Sequence, residues 1–160
     1  MDNQQQDRTM SFFRFEDLRV YAKATDYAQW LLTNIGTPQT AADKSLIKTF
    51  STSAFDIALN IAKGSARNKN QFDHYLKIAK TAIRECIVYT TLASARGLFD
   101  EEQTNQSREY LMELTRMIGA LIISLQRGSR RRDEDSQTYE TRDVTNAEAY
   151  DPLDSINTDF

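Results

Sequence analysis

The chain has 160 residues, 40% of them hydrophobic, and a formal net charge of −3, which is the size of one domain with extensions and a modest core. Its one cysteine, Cys86, excludes an intrachain disulfide framework and fits a reducing compartment. The polar opening from Met1 to Arg8 lacks the order of a signal peptide, and the most apolar run, Gly119 to Leu125, is far too short to span a bilayer. A cytoplasmic protein with no membrane partner is expected.

Residues 1–11, rich in Gln and Asp, read as a disordered lead-in. Residues 12–128 read as four helices punctuated by glycine: Gly36, Gly64, Gly97 and Gly128 each follow an apolar helical repeat and can each take the left-handed stop position. Helix one is expected to start near Glu16 and Asp17, whose charge suits a helix N-terminus. Its buried stripe would be Leu18, Tyr21, Ala24, Ala28, Leu31 and Ile35. Thr37 is the expected cap of helix two, with Pro38 in the first turn. Helix two runs to about Lys63 on the stripe Ile47, Phe50, Ala54, Ile57 and Ile61. Phe55 and Leu59 fall off that stripe, a second apolar strip that hints at self-association.

Asn68 and Gln71 read as a capping pair that opens helix three. Its core face is Phe72, Leu76, Ala79, Ile83, Cys86, Thr90 and Ala93. Asp100 with Gln103 repeats the signal for helix four, with Leu111, Leu114, Ile118, Leu121 and Leu125 inside. The connections are short, so the expected fold is all-α, an antiparallel up-down-up-down four-helix bundle. Beyond Gly128 the apolar period disappears, and residues 129–160 read as a disordered acidic tail. Charge divides at the same place. Residues 1–132 hold 19 Lys/Arg against 14 Asp/Glu, a net of +5, while residues 133–160 carry a net of −8.

Chemistry is sparse. The one histidine, His74, lies twelve residues before Cys86, roughly 18 Å along one helix and far beyond hydrogen-bond reach. No metal-ligand spacing, phosphate loop or cofactor motif is present. Glu109, Glu113 and Arg116 have the spacing of a solvated ion-pair ladder. No catalytic, cofactor or metal residues are assigned, and the chain is read as not an enzyme. The basic residues say more. Lys77, Lys80 and Arg84 share a face of helix three, and Lys63, Arg67 and Lys69 cluster at the turn before it. Lys44 with Lys48, and Arg19 with Lys23, form further pairs. Together these residues could contact phosphates. For a monomer of +5 an ordinary charged surface is the simpler reading, and assembly would multiply the charge.

The run Asn60-Ile61-Ala62-Lys63-Gly64-Ser65-Ala66-Arg67, then Gln71-Phe72, Tyr75-Leu76 and Ile78-Ala79, carries a family resemblance. With the opening Phe15-Glu16-Asp17-Leu18, Val20-Tyr21 and Ala24, it resembles the four-helix bundle proteins encoded by intervening sequences in bacterial 23S ribosomal RNA genes. The likeness spans residues 12–127. Lys63 stands where that family usually has Glu, Leu59 lies near a usual Pro or Ser, and Gln71 replaces an acidic capping partner. These departures make the turn more basic, and no role of the family's Glu carries over.

The resemblance implies a ring-shaped homopentamer. It also implies kinship with the accessory variability proteins of diversity-generating retroelements, which are basic and pentameric and bind nucleic acid and a reverse transcriptase. The resulting expectation is a non-enzymatic homo-oligomer that binds RNA or DNA through basic helix faces. The alternative is a scaffold recruiting a polypeptide such as a reverse transcriptase. Tyr27, Trp30 and Tyr89 serve either an interface or the monomer core.

Overall fold

A computed structural model describes residues 12–148. A 3-10 turn at Arg14–Asp17 leads into α1 (Arg19–Asn34), α2 (Ala41–Ser65), α3 (Lys69–Ala95) and α4 (Glu101–Glu148). No strand occurs among the described residues. The chain divides into two compact units, Met1–Ile123 and Ser124–Phe160.

In the first unit most of the expected stripe residues are inside, while Leu18, Tyr21, Ile35, Ile47, Phe72 and Leu121 are only half-buried. Phe50, Ala54, Ile57 and Ile61 of α2 are fully buried, as are Leu76, Ala79, Cys86, Thr90 and Ala93 of α3 and Leu111, Leu114 and Ile118 of α4. Partners on α3 fall in number as those on α2 rise: Phe50 meets Tyr89, Ser53 meets Glu85, and Gly64 meets Tyr75 and Phe72. The same holds between α1 and α4, where Lys23 pairs with Glu113, Tyr27 with Ser107, and the Asn34 carbonyl with Gln103.

Several expectations are corrected. The cap of α2 is Thr40, not Thr37. Thr40 Oγ1 accepts from the Asp43 N–H at 3.1 Å, and the Asp43 carboxylate accepts from the Thr40 N–H at 3.2 Å. Thr37 has no acid three residues on, whereas Thr40 does, so only Thr40 closes a reciprocal box.

The glycines divide by role. Only Gly97, at φ +71°, adopts the left-handed conformation among the described residues. Gly36 lies past the end of α1 and donates its N–H to the Leu98 carbonyl at 2.9 Å. Gly64 lies inside α2, and a Cβ there would stand 2.6 Å from Tyr75 Cβ. It is a close-approach glycine between two helices rather than a stop.

In the second unit, α4 does not stop at Gly128 but continues to Glu148. One glycine in a helix costs only about 1 kcal/mol against alanine. Arg130 to Arg132 stand three and four residues ahead of Asp133 to Asp135, a spacing that favours helix. Residues 1–11 and 149–160, also expected to be irregular, lie outside the described residues.

Tyr27 is fully buried, so it finishes the core instead of an interface. Its hydroxyl lies 2.9 Å from Ser107 Oγ, and Ser107 Oγ lies 2.7 Å from Thr90 Oγ1, which donates to the Cys86 carbonyl at 2.7 Å. Each hydroxyl has one proton. Thr90 spends its proton on the carbonyl, so Ser107 donates to Thr90 and Tyr27 donates to Ser107. A one-way chain of hydrogen bonds thereby joins α1, α4 and α3 inside the core. Burial pushes the Tyr27 phenol well above its ordinary pKa, which keeps that donor protonated.

Candidate nucleic-acid interface

Where the α1–α2 and α3–α4 connections meet, one cation, Arg96, is locked into structure. Arg96, at the end of α3, donates Nε to the Asp43 carboxylate and Nη2 to Thr40 Oγ1 at 3.1 Å. Asp43 is only 3% exposed and also accepts from the Gln39 N–H at 3.0 Å. The Arg96 hydrogen bond, helped by that backbone donor, holds its carboxyl below the usual range. Gln103 Nε2 donates to the Asn34 carbonyl at 3.1 Å, closing the same end.

At the α2–α3 turn the cations face water. Lys63 and Arg67 are exposed and Lys69 is half-buried. Asn68 sets the turn by accepting from the Gln71 N–H at 3.0 Å, which aims α3 away from it. Gly64 permits the tight approach of Phe72 and Tyr75.

Farther along α3, Lys77, Lys80 and Arg84 are all exposed, so the expected basic strip exists. Its members are not equivalent. Lys77 lies 2.8 Å from Asp73 Oδ2, while Asp73 Oδ1 is buried without a hydrogen-bond partner. Drawing Lys77 away to a phosphate would leave that carboxylate with no partner at all. Among the described residues no ion pair engages Lys63, Arg67, Lys80 or Arg84.

The other sequence candidates separate similarly. Lys44 and Lys48 are exposed and border a shallow cavity of about 420 Å³ with Ile35, Pro38 and Ile47. Lys23 is committed: it lies 2.8 Å from Glu113 and 4.8 Å from the centre of the Tyr110 ring. Its hydrogen bond to Glu113 raises its pKa. Glu113 therefore serves α1 rather than the expected ladder with Glu109 and Arg116, because α1 offers a cation within reach.

Cys86 is fully buried, and burial pushes its thiol pKa up, which makes it a packing residue. His74 is exposed and meets the Tyr75 ring edge-on at 5.9 Å between centroids. Among the described residues no group of three or more His, Cys, Asp or Glu is placed to hold a metal ion. No described helix is long and apolar enough to cross a membrane.

Sequence reading missed the exposed apolar residues of α3, namely Ile78, Val88 and Leu92. Their signal was available, since all three lie off the stripe that Leu76, Ile83 and Thr90 define.

No curated protein matches the chain. A family model described as 23S rRNA-intervening sequence protein matches residues 16–120, the stretch that holds α1 to α3, the basic turn and most of the α4 core stripe. The chain belongs to the 23S rRNA-intervening sequence protein family.

Proposed function

We propose that this protein is an oligomeric, non-enzymatic bundle that binds nucleic acid through the α2–α3 turn and the adjoining face of α3. One observation carries the reading: Lys63, Arg67, Lys80 and Arg84 are exposed and free of ion pairs among the described residues, whereas Lys23 and Arg96 are held by carboxylates. Free cations release counterions from a phosphate backbone, and that release drives sequence-independent binding.

A titration of labelled RNA or DNA at several salt concentrations tests this. Log K is expected to fall linearly with log salt, by about 0.9 per neutralised phosphate of duplex DNA. Lys80→Ala and Arg84→Ala should each lower the magnitude of that slope by about one. Absence of binding at low salt refutes the reading.

Oligomerisation is supported by large apolar side chains exposed on three helices: Phe55, Val88, Leu92 and Met112, with Val88 56% exposed. Light scattering on nuclease-treated protein tests it, and a monomer mass refutes it. The family resemblance makes five the expected copy number. The same apolar residues would suit a polypeptide partner such as a reverse transcriptase. Recovery of that partner from the native host after nuclease treatment would favour the scaffold reading.

A further inference from the structure

We infer that the outer face of α2 and α3 beside their turn is a shelf on which bases of a single-stranded nucleic acid stack. The inference rests on the nucleic-acid reading and narrows its ligand. The two helices approach closely at Gly64 and Tyr75, where an added Cβ would come within 2.6 Å of Tyr75 Cβ. One residue back from each lie Lys63 and His74, both exposed. One helical turn farther from the connection lie Leu59 and Ile78, 48% and 38% exposed. Positions four apart stand in line on a helix. The Gly64–Tyr75 contact sets the two lines side by side, so Leu59, Lys63, His74 and Ile78 form one solvent-facing patch.

The chemistry of that patch is specific. Two apolar side chains and an imidazole braced edge-on by Tyr75 present contact surface for the flat face of a base. Lys63 and Arg67 supply positive charge beside it for the adjoining phosphate. A duplex offers its phosphates but keeps its base faces stacked within itself, whereas a single strand offers both. Beyond the patch α2 and α3 carry Asp56 and Glu85, carboxylates that disfavour an anionic strand beside them.

Fluorescence anisotropy with the full chain at low salt, on a labelled single-stranded oligoadenylate and an abasic strand of equal length, decides the matter. The unaltered chain is expected to bind the base-bearing strand at least about fivefold more tightly than the abasic one. His74→Ala should erase that gap while keeping the salt slope on the abasic strand. Because His74 is exposed, the variant should melt with the unaltered chain. Equal affinity of the unaltered chain for both strands overturns the inference and leaves phosphate binding standing. Binding to neither overturns both. Leu59→Ser is expected to weaken oligoadenylate binding at unchanged solution mass. A changed mass with unchanged strand affinity would make the patch a contact between copies and also overturn the inference.

Discussion

Gly64→Ala tests the interhelical contact most directly, because two physical effects oppose each other there. Helix propensity favours the substitution, since alanine in a helix interior gains about 1 kcal/mol over glycine. Sterics oppose it. The new methyl would meet Tyr75 Cβ at 2.6 Å and Phe72 Cδ2 at 2.8 Å, against an optimum of about 3.5–4.0 Å for carbon pairs. The Phe72 ring can rotate away, but Tyr75 Cβ is fixed to the backbone, so α2 and α3 must separate by about 1 Å. Overpacking of this kind costs about 1–3 kcal/mol, and a backbone-anchored clash belongs in the upper half of that range. The expected net effect is a loss of about 1–2 kcal/mol, read from urea unfolding followed by circular dichroism at fixed protein concentration. Gly119→Ala is the control: its Cβ would meet nothing within 4 Å in α4, so it should gain about 0.5–1 kcal/mol. If Gly64→Ala stabilises the protein as Gly119→Ala does, the close approach of α2 and α3 is refuted.

Two further substitutions test the core and the clasp. Ser107→Ala removes the middle of the buried hydroxyl chain and strands the Tyr27 donor, at an expected cost of about 1–3 kcal/mol. Adding Tyr27→Phe should recover part of that loss, and strict additivity would show that the hydroxyls act separately. Asp43 titrates lower in the folded protein than in the unfolded chain. Its contribution is therefore complete above the unfolded carboxylate range and is lost as pH falls through the folded value. Arg96→Gln should flatten the acid limb of a plot of unfolding free energy against pH, and an unchanged limb would count against the clasp.

Local pattern carried much of this fold. The period of about 3.6 identified the buried residues of α2 and α3 because burial on one helix face is a one-dimensional property. The caps at Asn68 and Asp100 were legible for the same reason, partner and cap lying three residues apart: both reciprocal bonds form at Asp100, while at Asn68 only the bond from the Gln71 N–H does. Tyr27 lies three residues after Ala24 and four before Leu31, so its place on the stripe was legible, whereas its partner Ser107, eighty residues away in sequence, was not. Gly64 looked like a helix stop because glycine serves both stops and close contacts, and only the neighbouring helix distinguishes them.

For the candidate site, residue types along the chain located six basic positions, Lys63, Arg67, Lys69, Lys77, Lys80 and Arg84, and all but the half-buried Lys69 are exposed. Which of them are available was a tertiary matter. Lys77 is spoken for by Asp73 on its own helix, while Lys23 and Arg96 are held by carboxylates on other helices. The sequence by itself determined helix type, core stripes and the supply of positive charge, because these follow from the spacing of residues on single helices. Tertiary structure decided where α2 and α3 touch, which cations remain free and which apolar side chains stay in water. Each of those depends on the distance between residues far apart in the chain, and local spacing does not encode that distance.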